Sequence, residues 1–309
     1  MPRKFFKRNF QKYFVYSAVY LLIAVARILP RQSGMQVFST LGLAASKIFG
    51  HDRRKALQNL SIAFPDMPLM VRGAVIAAMY KNLGRNIYEF LNLKGSTGAR
   101  IEALISSVEG EEHLREAMAE GTGIIAITGH IGCWELLAAY LVSRGYSVSV
   151  VARNLRDAKW QEWVGTIRSS MGISIIDRDR GARDMLESLR NKEVLGVLMD
   201  QHTRVSGYYV PFFNKAAHTP SGVARLASIS GAKIVPMAIY MNSNYQHVIR
   251  ILKPISFPED APNRAWAVES VTAACARAME DLIRYDPKQW IWWHDRWGNE
   301  QRETSYEVI

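Results

Sequence analysis

The spacing of apolar residues changes character along the chain. Residues Phe14 to Leu29 (FVYSAVYLLIAVARIL) form an apolar run of sixteen, interrupted only by Arg27 and closed by Pro30. From Ser33 to about Arg100, apolar residues recur at steps of three and four in MQVFSTLGLAASKIF and VRGAVIAAMYKNLGRNIYEFLNL, the period of half-buried helices, with a turn at Asp66 to Pro68. From about Val108 short apolar strands take over: IIAIT (124–128), SVSVVA (147–152), ISIID (173–177), VLGVLM (194–199) and KIVPMAIY (233–240). Helical patterns such as EEHLREAMAEG, CWELLAAYLVSRG and ARDMLESLRNK separate them. QHVIRILKPI (246–255) adds a possible strand, and Ala265 to Tyr285 has the pattern of a long closing helix. The alternation predicts an α/β fold with a mostly parallel sheet flanked by helices. The expected organisation is a basic arm and membrane-embedded helix over 1–32, a helical region over 33–107 and the α/β domain over 108–309.

Charge sharpens the reading of the first segment. Seven Lys or Arg and no acid fall within the first 31 residues, which leaves +4 of the net +11 for the remaining 278. Phe5, Phe6, Phe10 and Tyr13 interleave with those charges, a composition suited to an anionic membrane surface rather than to nucleic acid, which calls for basic charge spread over the domain. As a helix, sixteen residues at 1.5 Å each reach about 24 Å, short of a hydrocarbon core of roughly 30 Å. No small-residue cleavage site follows the run, and basic residues flank both sides of it. The expectation is a helix embedded in the cytoplasmic face of the inner membrane, with an ordinary buried core helix as the alternative. Two cysteines, Cys133 and Cys275, give no disulfide framework.

Candidate chemistry sits in GHIGCWE, Gly129 to Glu135, between the strand IIAIT and the helix that follows. A histidine at a strand end lies in the crevice where α/β sheets bind ligands. There an imidazole can take a proton from a hydroxyl attacking a carbonyl, with a nearby carboxylate orienting the ring. The expected pair is His130 as general base and Glu135 as its partner. Two other chemistries stay open on the residues alone: an acyl-enzyme on Cys133, at a helix start, and a metal held by His130, Glu135, Asp200 and His202.

GHIGCWE resembles the His-x4-acid motif of the lysophospholipid acyltransferase superfamily, and in particular the GHFGNWE form of the lipid A biosynthesis (late, lauroyl or myristoyl) acyltransferases of Gram-negative bacteria. LGVLMDQHTRVSGYYVPFFNKAAHTPSGVARLA (195–227) is similar to that family's second block, and PKQWIWWHDRW (287–297) to its Trp-rich C-terminal block. Departures are Cys133 for the usual Asn, His202 after Asp-Gln, and Asn214 where Gly is frequent. The resemblance implies transfer of a fatty acyl group from an acyl carrier protein thioester, or from acyl-CoA, to a hydroxyl of a lipid A precursor or related glycolipid. No metal or other cofactor is implied. It also implies donor or phosphate contacts at Arg153 and Arg168, with Asp200 and Gln201 either touching substrate or shaping the pocket as a buried network. Arg178, Arg180 and Arg183 offer an anion-attracting rim, or simply a charged helix start. Trp290, Trp292, Trp293 and Trp297 divide between core packing and a membrane interface. A different class, a membrane-tethered lipid-binding protein without turnover, has no use for His130 and Glu135 at a strand–helix junction.

Overall fold

The computed structural model describes residues 16–155, 157–258 and 261–298. The basic residues Arg3 to Lys12 of the expected arm, with Phe14 and Val15 of the apolar run, lie outside them. Helix α1 (16–28) is followed by α2 (Arg31–Ile48), α3 (Gly50–Ala63), α4 (Leu69–Asn92) and the short α5 (Gly98–Glu102). The α/β part then runs β1 (Ile105–Glu109), α6 (Glu111–Ala119), β2 (Ile124–Thr128), α7 (Trp134–Ser143), β3 (Val148–Ala152), α8 (Ala158–Ser170), β4 (Ile173–Asp177), α9 (Ala182–Arg190) and β5 (Val194–Leu198). A hairpin of β6 (Gly207–Phe212) and β7 (Lys215–Pro220) leads to α10 (Gly222–Ser230), β8 (Lys233–Met241), β9 (His247–Ile251), α11 (Arg264–Tyr285) and a closing 3-10 turn, Pro287–Gln289.

Seven strands form one sheet in the order β1-β9-β8-β2-β5-β3-β4. All neighbours are parallel except β8 and β9, whose pairing is antiparallel, so the expected mostly parallel sheet with helical flanks is what forms. Every residue of the central strand β2 is buried because both faces of the sheet are covered. The side chains of Ile125 and Ile127 enter one core, with α11, α10 and the C-terminal tryptophans, while those of Ile124 and Ala126 enter the other, with α7 and α8. Each predicted strand is present within a few residues of its expected bounds. Two elements carry no strong sequence signal: β1 (ISSVE), an edge strand with a half-exposed pattern, and the β6–β7 hairpin, paired from Gly207 opposite Pro220 to Phe212 opposite Lys215.

The helical region joins the α/β part through α4, which packs against α7 and the closing 3-10 turn, while α1 adds a smaller core of its own. Ile23 and Ala26 of α1 pack with Met35 and Phe38 of α2, Tyr88 and Leu91 of α4, and Met241. The other side of α1 leaves Tyr20, Leu21 and Ile28 exposed, and α2 and its end expose Val37, Leu41, Ile48 and Phe49. Among the described residues, no helix is long and apolar enough to cross a membrane. Half-buried Arg31 and buried Glu89 tie this region down: Arg31 Nε donates to Glu89 Oε1 at 2.7 Å, and the Arg31 guanidinium also reaches the Tyr245 carbonyl.

Candidate active site

Register places the first two groups. Thr128 at the end of β2 stands opposite Leu198 at the end of the neighbouring parallel strand β5, so His130 and Asp200, each two residues further on, emerge level with one another at the carboxyl edge of the sheet. His130 Nδ1 donates to Asp200 Oδ1 at 2.9 Å and the His130 backbone N–H to Oδ2 at 2.7 Å. A third donor, Trp290 Nε1–H, reaches Oδ2 at 2.8 Å. An ionised carboxylate only accepts, so Nδ1 carries the imidazole proton and Nε2 keeps its lone pair. Among the described residues nothing bonds to Nε2. Burial alone would raise the Asp200 carboxyl; facing His130, with its side-chain and backbone hydrogen bonds and nearby His294, outweighs that and holds it well below the usual carboxylate range.

Glycine makes this loop possible at two points. Gly132 sits at φ +56, and a Cβ there would lie 1.9 Å from the Ile239 carbonyl oxygen, so no other residue fits without moving the backbone. At Gly129 a Cβ would come within 2.9 Å of Asp200 Oδ2 and crowd the carboxylate. The loop is also held from outside. Gly132 N–H donates to the Gln289 carbonyl, Ile291 N–H to the His130 carbonyl at 3.3 Å, and Ile131 bridges Trp290 in antiparallel fashion. The Trp-rich C-terminal segment thus lies beside the histidine loop and delivers both Trp290 and His294 to it. Trp290, Trp292 and Trp297 are core residues, while Trp293 is half-buried and stacks near Tyr80.

Glu135 does not stand where the sequence reading placed it. Its carboxylate accepts from Arg168 Nε at 3.0 Å and from Arg168 Nη2 at 2.6 Å, a bidentate pair, and no hydrogen bond joins it to His130 among the described residues. From the first turn of α7 it meets Arg168 in the last turn of α8, whereas the ring of His130 meets Asp200 at the end of β5. The carboxylate on the imidazole is Asp200, seventy residues away in sequence and one strand away in space. Arg168 is therefore engaged internally rather than free. Asp200 is wholly buried and belongs to the buried-network reading, and Gln201 bonds through Nε2 to the ring of His294 at 3.1 Å. Arg153 is exposed at the end of β3, 3.9 Å from Asp179. Arg178, Arg180 and Arg183 are exposed around the β4–α9 turn.

A cavity of about 260 Å³ opens beside the loop and helix start that follow the histidine, with Gly132, Cys133, Trp134, Glu135, Arg153 and Arg168 in its wall. A narrower space of about 50 Å³ continues under the same Trp134, Glu135 and Arg168 into the interior, between apolar side chains such as Leu137, Val150 and Met237. The Trp134 ring, part of the wall of both spaces, packs edge-on to His130 with centroids 4.8 Å apart. Cys133 is buried, and burial, with Glu89 and Glu135 adding to it, pushes its thiol well above the ordinary range. A thiol so disfavoured as an anion makes a poor nucleophile, which removes the ground for an acyl-enzyme on Cys133.

His294 is the functional-site residue that sequence reasoning missed, although it lies inside the quoted PKQWIWWHDRW block. Its ring meets that of His130 edge-on at 4.6 Å, and its Nδ1 lies 4.0 Å from Asp200 Oδ2. Burial brings its pKa down to about 4, against the pull of Asp200 and with the help of His130, so the ring is neutral at pH 7. His130, Asp200 and His294 each offer a ligand atom, all within 4.8 Å of one another, and are the set among the described residues that could hold a metal ion. Neither Glu135 nor His202 belongs to it.

Comparison with known proteins supplies the family. The family model described as bacterial lipid A biosynthesis acyltransferase matches residues 2–299. The lipid A biosynthesis lauroyltransferase of Escherichia coli K12 is 26% identical over 259 residues, 83% of this chain and 82% of that protein. The phosphatidylinositol mannoside acyltransferase of Mycolicibacterium smegmatis is 24% identical over 277 residues, 88% of each chain. The Mycobacterium tuberculosis protein of the same name is 26% identical over 184 residues, and the match spans only 58% of its length. Matched from end to end by one family model, and carrying the histidine loop, the β5 aspartate and the Trp-rich segment in one connected site, the chain belongs to the bacterial lipid A biosynthesis acyltransferase family.

Proposed function

We propose that the protein transfers a fatty acyl group from a thioester donor to a hydroxyl of a lipid A precursor or related glycolipid, with His130 as general base and Asp200 as the carboxylate that orients it. The observation that carries this reading is the Asp200–His130–open Nε2 arrangement, with His130 packed against Trp134, a wall residue of the apolar cavity. His130 Nε2 takes the hydroxyl proton as the oxygen attacks the thioester carbonyl. The tetrahedral intermediate then collapses with loss of the thiolate, which the imidazolium reprotonates. Asp200 stabilises the imidazolium in between and fixes the tautomer. A thioester is activated enough for direct attack, so no covalent enzyme intermediate is needed. The larger apolar cavity beside Trp134 suits an alkyl chain, with the Glu135–Arg168 pair as a fixed polar part of its wall.

Acyl carrier protein is the preferred donor, because Arg153 in the cavity wall, joined through Asp179 to Arg178 on the exposed turn that also carries Arg180 and Arg183, suits an acidic carrier and its phosphate. Acyl-CoA shares that phosphate chemistry and is the alternative. The two groups of relatives act, by their names, on lipid A and on phosphatidylinositol mannoside, so a membrane glycolipid is the acceptor class. The working site is the cytoplasmic face of the inner membrane, with α1 and α2 lying in the interface and exposing Leu21, Ile28, Val37 and Leu41 to it. The test is mass spectrometry of the lipids of a strain lacking the gene. A missing secondary acyl chain on lipid A, restored by the wild-type gene and not by His130→Ala, is expected; an unchanged lipid profile would overturn the assignment.

A further inference from the structure

We infer that His130, Asp200 and His294 form an inhibitory site for a divalent transition ion, zinc above all, which disables the enzyme by reversing the tautomer of His130. The inference rests on the general-base reading of His130 Nε2 given above. The three groups come from separate parts of the chain: the loop after β2, the end of β5 and the C-terminal segment. Two imidazoles and one carboxylate are a donor set that zinc and its neighbours favour, with a fourth position left for water.

The geometry requires little adjustment. Zinc bonds of about 2.0–2.1 Å in a tetrahedron place ligand atoms about 3.3 Å apart. His130 Nδ1 and Asp200 Oδ1 already stand at 2.9 Å, with a proton between them. An ion that takes the place of this proton needs those two atoms to part by a few tenths of an ångström. Asp200 Oδ2 keeps both of its other donors, Trp290 Nε1–H and the His130 backbone N–H. The His294 atom lies within 4.8 Å of the others and must approach by at most about 1.5 Å. Its ring is restrained by the Gln201 amide and by edge contacts with His130 and Trp293, and an ion bound at the ring nitrogen facing Asp200 takes the place of any donor there.

The consequence follows from proton bookkeeping. Free His130 holds its proton on Nδ1 and its lone pair on Nε2. When the ion binds Nδ1, the proton moves to Nε2 through solvent; none is lost overall and the ring stays neutral. The metal takes the electron pair freed at Nδ1, and the Nε2 pair that would accept the acceptor's hydroxyl proton now holds the ring proton instead. Nothing need enter the acyl cavity for this to happen, so turnover falls while the KM of the lipid acceptor stays constant. The Glu135–Arg168 pair lies outside the cluster and takes no part.

The test uses the purified full chain in detergent, with Co2+ as a coloured probe and Zn2+ as the inhibitor. Titration with Co2+ should develop visible bands of a four-coordinate N/O site at one equivalent, and kcat should fall along the same saturation curve. X-ray absorption of the Zn2+-loaded wild-type protein should show two imidazoles per zinc, a readout that needs no variant. His294→Asn should weaken Co2+ binding by at least the 10–100-fold that losing an outer-shell partner alone costs, and Glu135→Gln should leave it unchanged. Binding without loss of turnover, or activation by the ion, would overturn the tautomer step. Equal inhibition of wild type and of folded His294→Asn, or fewer than two imidazoles at zinc, would overturn the site. Failure of the general-base reading itself registers separately, as metal-free His130→Ala retaining activity.

Discussion

Asp200→Asn is the substitution that most sharply separates the roles of the two carboxylates. It changes no shape and removes one charge. Two donors, Trp290 Nε1–H and His130 N–H, converge on Oδ2, while Oδ1 faces His130 Nδ1 alone. The amide oxygen therefore takes the Oδ2 position and the NH2 group is turned toward Nδ1. A donor there forces Nδ1 to accept, moves the ring proton to Nε2 and removes the base. Turning the amide the other way restores the tautomer but leaves two buried N–H groups facing NH2, at about 1–3 kcal/mol each. The productive state is thus disfavoured by about 2–6 kcal/mol, about 30-fold to 10⁴-fold. Loss of the charge that stabilises the imidazolium adds to this, so a fall in kcat of about 10³ to 10⁴ is expected, comparable with the same change in serine hydrolase triads. The assay is initial rate against acyl carrier protein thioester and a lipid A precursor, with thermal melting to check the fold and equilibrium binding to check the acceptor site. A folded Asp200→Asn enzyme within tenfold of wild-type kcat would refute the reasoning.

Glu135 and Arg168 should behave as a coupled pair in a double-mutant cycle of Glu135→Gln and Arg168→Met, with the double variant little worse than the worse single one, whereas Glu135 and His130 should combine multiplicatively; the reverse pattern of rates would restore Glu135 as the partner of the base. His247 is fully buried with neither ring nitrogen hydrogen-bonded among the described residues, and burial, with a smaller effect of Arg31, brings its pKa down to about 3. Because the unfolded chain takes up that proton near pH 6.5 and the folded chain only near 3, its contribution to stability is full above about 6.5 and declines by about 1.4 kcal/mol per pH unit below it. His247→Leu should flatten the denaturation midpoint over that window by the same slope, and a variant as acid-sensitive as wild type would rule the assignment out. Leu21→Gln combined with Ile28→Gln, two exposed positions on α1, should lower partitioning onto anionic vesicles about tenfold or more without changing the melting temperature; unchanged flotation would show that α1 is not the contact surface.

Much of the architecture was legible because strands covered on both faces are short continuous apolar runs, and IIAIT and VLGVLM stand out against their helical neighbours. ISSVE at the sheet edge lacks that contrast, since its middle residues face solvent. The histidine was legible from its place at the end of a strand. Its partner was not, because proximity along the chain favoured Glu135, five residues on, whereas the register of β2 with β5 decides which carboxylate meets the ring. Strand order is the missing information: β5 inserts between β2 and β3, and nothing local in the sequence fixes that insertion. The same holds for Trp290 and His294, which reach the site through a bridge between the C-terminal segment and the histidine loop.

If His130 removes the proton from the acceptor hydroxyl, its loss should affect the chemical step and leave binding intact. The most direct measurement is single-turnover acyl transfer from a labelled acyl carrier protein thioester to a lipid A precursor by the metal-free, folded His130→Ala protein, beside acceptor binding under the same conditions. The expected result is a rate lower by about 10² to 10⁴ with acceptor affinity within a factor of about two. Near-normal transfer by that protein would contradict the account.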